Sequence, residues 1–169
     1  MCAIFNKAGT HGVPMRIGNN RLAFAPDGSL YLGQTDHGWL GSRGIQRLRY
    51  KPGSGIPLDI LDMKLTPTGF NLTFTQPVDE ATARDLTNYH FRSYYYEYHR
   101  AYGSPQMDVQ LVPVSAVQLS ADRKTVSLTL GELKSSRIYE LTLGNLQANN
   151  GQKKLMNRLV CYTLNRLMK

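Results

Sequence analysis

The sequence predicts an all-β fold: a sandwich or barrel of short antiparallel strands, preceded by a strand segment resembling part of a propeller blade. Three observations carry this. Apolar side chains recur at every second position, turn residues fall between these runs at short intervals, and only one stretch of the 169 residues reads as helical. Successive side chains of a strand point to opposite faces of its sheet, so period-two patterning marks a half-buried strand. Many short strands with frequent turns then favour a closed or two-layered β architecture.

The clearest strand is Phe70-Asn71-Leu72-Thr73-Phe74-Thr75, with Phe70, Leu72 and Phe74 on one face; Val126-Ser127-Leu128-Thr129-Leu130 alternates in the same way. Further strands are expected over 60–65, 89–98, 109–112, 114–119, 138–143 and 159–164. Phe70, Leu72, Phe74, Leu128, Leu130, Leu141 and Leu143 form the expected core. Turns are expected at Pro67-Thr68-Gly69, at 121–124 and at Asn149-Asn150-Gly151, where Asn and Gly tolerate positive φ. The helical exception is 79–85, which follows Pro77 and opens on acidic residues suited to a helix N-terminus.

The N-terminal part has a different texture. A strand over 21–25, the turn Pro26-Asp27-Gly28-Ser29 and a strand over 30–34 are followed by a glycine-rich loop and a strand over 45–50. That is most of one propeller blade. The stretch 51–57, rich in Pro, Gly and Ser, reads as a linker. The expected organisation is therefore a partial blade and linker over 1–55 and a β-sandwich over 56–169.

Composition bounds the function. Hydrophobic residues at 41% and charged residues at 19% are a globular balance. No stretch approaches the roughly 18 apolar residues of a membrane span, and the first residues turn polar too early for a signal peptide. The formal net charge of +8 raises a nucleic-acid reading. Its distribution argues against one, because Arg16, Arg21, Arg43, Arg47, Arg49 and Lys51 are interspersed with glycines and apolar residues. The C-terminal set Lys153, Lys154, Arg158, Arg166 and Lys169 comes closest to a patch, and these basic residues read as solvated strand and loop positions. Cys2 and Cys161 are too few for a disulfide framework or a zinc site, and pairing between them is not expected.

The run from Asn20 to Gln34 (NRLAFAPDGSLYLGQ) resembles the closing blade of quinoprotein glucose/sorbosone dehydrogenase-like β-propeller proteins. His37-Gly38-Trp39 and 44–48 resemble that group's last loop and strand. The segments 71–79, Tyr102-Gly103-Ser104-Pro105 and Tyr162-Thr163-Leu164-Asn165 resemble recurring pieces of the domain that follows the propeller. The resemblance implies an Ig/fibronectin III-like antiparallel β-sandwich at the C-terminus, in a periplasmic or secreted protein. It carries over no catalytic or cofactor residue. A propeller needs four to eight blades of about 40 residues, and this chain has room for one. Neither an enzyme nor a quinone cofactor is therefore expected of the chain itself.

Among residues that could carry chemistry, tyrosine stands out: six of ten lie between Tyr89 and Tyr102. On a continuous strand Tyr94, Tyr96 and Tyr98 would share one face, and Tyr95, Glu97 and His99 the other. The candidate surface is Tyr94, Tyr96, Tyr98, Glu97, His99, Arg100 and Tyr102. It suits docking of another protein domain or a second copy, with the N-terminal segment as another contact. The alternative is a carbohydrate platform, with sugar rings stacked on tyrosines and Glu97, His99 and Arg100 bonding hydroxyls. The four histidines lack ligand spacing; His37 and His99 could meet only by folding, and no metal site is expected. No nucleophile elbow, phosphate loop or dinucleotide fingerprint is present. The expected function is a non-catalytic structural or interaction module, and the alternative is a carbohydrate-binding module.

Overall fold

The computed structural model describes residues 18–36, 43–49, 55–149, 151 and 153–168. The chain divides between Gly55 and Ile56 into two compact units, each with its own sheets. The first holds a three-stranded antiparallel sheet of β1 (Asn19–Phe24), β2 (Leu30–Gln34) and β3 (Gly44–Leu48), in that order. Its hairpin follows from turn chemistry. Gly28 takes φ +77°, and the Asp27 carboxylate accepts the Ser29 N–H at 3.0 Å. The register aligns Phe24, Leu30 and Leu48 on one face, with Leu22, Leu32 and Gln46 beside them. The opposite face carries Tyr31 and Arg47, whose guanidinium lies 5.6 Å from the Tyr31 ring centroid.

The second unit is an antiparallel sandwich. One sheet has the order β4 (Ile60–Thr66), β5 (Gly69–Phe74), β9 (Thr125–Leu130), β8 (Val114–Leu119). The other runs β11 (Leu159–Leu164), β10 (Arg137–Leu143), β6 (Tyr89–Tyr95), β7 (Met107–Val112). Lettered in chain order, these are A-B-E-D and G-F-C with an added edge strand, the immunoglobulin-type arrangement. The chain changes sheets between β7 and β8 at Pro113, whose missing N–H makes it a natural end to a ladder.

Alternation fills the space between the sheets. All seven residues of the expected core are buried. Phe70 sits at the centre, its ring centroid 5.6 Å from Phe91, 5.6 Å from Tyr139 and 5.2 Å from Tyr162. Such offset and tilted ring contacts add to the stabilisation from burial alone. Tyr139 also forms the tyrosine corner of immunoglobulin-type folds: its hydroxyl accepts the Lys134 N–H at 2.7 Å, tying the turn before β10 to the core. The helical segment is α1 (Glu80–Arg84), capped by Asp79, whose carboxylate accepts the Thr82 N–H at 2.9 Å. Asp85 then caps a short 3-10 turn, Leu86–Asn88.

Two strand expectations change. The strand expected over 89–98 ends at Tyr95, and the one expected to begin at 109 begins at Met107. The cause is a register shift opposite Ser93 and Tyr95, with Asp108 in the left-handed region at φ +48°. Arg137 holds this bulge from inside the sandwich. Buried, it donates from Nε to the Ser93 hydroxyl at 3.2 Å and from Nη1 to the Asp108 carboxylate at 2.7 Å. A further Arg137 N–H meets the Asp108 carbonyl. The extra residue ends the ladder, so the chain beyond Tyr95 leaves the sheet.

Candidate functional site

The candidate surface is built on the outer face of β6 and β10. Alternation turns Phe91 and Ser93 of β6, with Tyr139 and Leu141 of β10, towards the core. It turns Arg92, Tyr94 and Glu140 outward, and the register sets Glu140 beside Arg92 and across from Cys161. Arg92 Nε donates to Glu140 Oε1 at 2.6 Å, and the Tyr94 hydroxyl donates to Oε2 at 3.1 Å. The Arg92 guanidinium lies 5.5 Å from the Tyr94 ring centroid. Both carboxylate oxygens are thus engaged, the stronger class of hydrogen bond being the one to a charged partner.

The electrostatics follow from these contacts. The Arg92 hydrogen bond holds the Glu140 carboxyl below its usual range, against the opposing effect of desolvation. Glu140 in turn raises the Arg92 guanidinium. Desolvation first, then hydrogen bonds to Tyr96 and Glu140, push the Tyr94 hydroxyl well above an ordinary tyrosine. Burial, and then Glu140, raises the Cys161 thiol, which disfavours the reactive thiolate. Cys161 is an exposed free cysteine, and Cys2 lies outside the described residues.

The other candidate residues lie beyond the strand. Tyr94, Tyr96 and Tyr98 do not share a strand face. Tyr94 is buried by its neighbours, while Tyr96 packs on it edge-on with centroids 5.5 Å apart and ring planes at 75°. Tyr98 and Tyr102 stand fully in solvent on the loop between β6 and β7, and Glu97, His99 and Arg100 are exposed beside them. Ser104 closes the neck of this loop: its hydroxyl accepts the Glu97 N–H at 3.1 Å and donates to the Pro105 carbonyl at 3.0 Å. Residues 96–104 curl around an open depression. The seven candidates therefore all fall within residues 94–102, yet divide into one anchored residue, one bridging residue and a solvent-facing loop.

The sequence reading missed Glu140 and Arg92. Alternation could have placed both on the outer face, but no sequence signal pairs strands 48 residues apart. Among the described residues, no group of three or more His, Cys, Asp or Glu could hold a metal ion, and His37 lies outside them. No helix among the described residues is long and apolar enough to cross a membrane.

No family model matches the sequence, and no curated protein matches it significantly. Similar solved structures are S-layer proteins. The structure of surface layer protein SbsC, domains 1–6, matches 66% of this chain at 21% identity and a TM-score of 0.50. The N-terminal part of the bacterial S-layer protein SbsC matches 65% at 20% identity and a TM-score of 0.48. This chain spans 14% and 24% of those two chains. At such identity the likeness is one of fold. It corrects the dehydrogenase resemblance. The neighbour found is an S-layer protein and no sugar dehydrogenase relation is shown, so a quinone-enzyme parent is not supported. The Pro-Asp-Gly-Ser hairpin specifies a turn rather than a family.

Proposed function

We propose that this chain is a non-catalytic structural module of a cell-surface or secreted protein, which engages another protein through the loop 96–104. The observation that carries this reading is the contrast along the tyrosine segment. Tyr94 is held by Glu140 and Arg92, Tyr96 rests on it, and Tyr98 and Tyr102 project fully into water at their side. Exposed aromatic area on an anchored base loses little conformational freedom on binding. Tyrosine with Ser, Gly and Arg is the composition by which loops of β-sandwiches recognise proteins. The fold shared with a surface layer protein supports a building-block role. A flat sugar platform gains nothing from the 75° angle between Tyr94 and Tyr96.

The test compares immobilised chain with a Tyr98→Ala/Tyr102→Ala variant for binding purified surface proteins of the source cell. Both side chains are fully exposed, so the melting temperature should not move. Affinity should fall about tenfold or more, as loss of aromatic anchors does. Equal binding by the two proteins, or a saturable tyrosine fluorescence change with sugars, would sink the reading.

A further inference from the structure

Among the described residues of the sandwich, one edge strand is left exposed along most of its length, and its chemistry fits the addition of another strand. An edge strand presents unpaired backbone N–H and C=O groups, and proteins ordinarily protect such edges with helices, bulges, charges or a neighbouring sheet. Three of the four edges here are managed. Strand β8 packs against α1 and the 3-10 turn. Strand β4 carries a bulge at Leu61 and the exposed Lys64, and β11 lies alongside β4 at the seam of the two sheets. Strand β7 has none of these along 109–112; its bulge is confined to its beginning, at Asp108. Its central residues, Asp108 to Leu111, are all exposed, Val109 at 49% and Leu111 at 86%.

We infer that β7 is the site at which a second copy of this chain adds, antiparallel, edge to edge. Three features select a copy over an unrelated strand. First, antiparallel self-pairing about Gln110 sets Val109 of each copy opposite Leu111 of the other, giving two apolar cross-strand pairs from one register. Second, β7 contains no Lys or Arg, and its only charge, Asp108, is neutralised by Arg137 at 2.7 Å. Two chains of net charge +8 therefore meet where neither presents an unpaired charge. Third, the same surface patch on both subunits closes as a two-fold dimer rather than an open chain. The product is one continuous sheet in which two four-stranded sheets share their β7 edges. Main-chain hydrogen bonds supply the affinity, and the Val109–Leu111 pairs supply the register. This inference goes beyond the loop-docking reading and does not depend on it.

Sedimentation velocity of the full chain from micromolar to near-millimolar concentration provides the test, with hydrogen exchange at both extremes. The wild type should pass from monomer to dimer, and amides 109–112 should gain protection in parallel. Leu111→Lys sets a cation against Val109 in both cross-strand pairs and should weaken dimerisation tenfold or more. Leu111 is exposed but registers opposite Arg92 of β6, so the thermal melt should fall slightly, with the sandwich remaining folded. A wild type that stays monomeric throughout overturns the inference while leaving the loop reading untouched. A dimer that survives Leu111→Lys with the same exchange pattern overturns it as well.

Discussion

Glu140 shows how one outward-facing residue organises a surface. It accepts from Arg92 at 2.6 Å and from Tyr94 at 3.1 Å, so both neighbours are positioned by a single carboxylate. Its carboxyl is held low by Arg92 in the folded chain, and a depressed pKa carries a definite sign. The stabilisation is present above the pKa of the unfolded chain and is lost as pH falls through the folded pKa. Acidification through the carboxylate range should therefore release Tyr94 as well as lower stability. Glu140→Gln should cost about 1–2 kcal/mol at neutral pH, because Arg92 is part-exposed and rehydrates when its anion is removed. The variant should also show a shallower loss of melting temperature between neutral and acid pH than the wild type. A wild type and variant with parallel pH profiles would count against this assignment.

At the scale of elements, the sandwich depends on places where backbones approach closely. Gly69, at the start of β5, is the sharpest. A Cβ there would stand 1.9 Å from the Leu128 carbonyl oxygen of the neighbouring strand, which is backbone and has nowhere to move. Gly69→Ala should therefore force the β5–β9 ladder apart and cost about 3 kcal/mol, the upper range of overpacking. Chemical denaturation would measure this directly, and a loss below about 0.5 kcal/mol, the range of neutral surface changes, would mean the strands can shift. Sequence legibility also divides at this scale. The period-two runs at 70–74 and 126–130 located β5 and β9 because an inward face needs an apolar residue at every second position. The end of β6 was illegible. Tyr96 and Tyr98 continue the alternation, and what stops the strand is a bulge in β7, held by Arg137, which joins Ser93 to Asp108 across 29 and 44 residues of chain.

For the molecule as a whole, the immunoglobulin-type order encloses a core drawn from both sheets, with Phe70 of one against Phe91, Tyr139 and Tyr162 of the other. Residues 56–169 contain every member of that core. Expressed alone, this segment should give a β-type circular dichroism spectrum and a single cooperative melt. A broad, non-cooperative melt would show that the sandwich needs the preceding residues. What the sequence by itself determined is the all-β class, the identity of the core and the positions of the tight turns. These depend on local alternation and on the φ preferences of Gly, Asn and Asp, which act over a few residues. Only the tertiary structure decided which strands are neighbours, which edges stay open, and that the tyrosines divide between an anchored base and a free loop. Those outcomes rest on contacts such as Glu140 with Arg92 and Arg137 with Asp108, made between residues distant in the chain and specified only once the strands are in register.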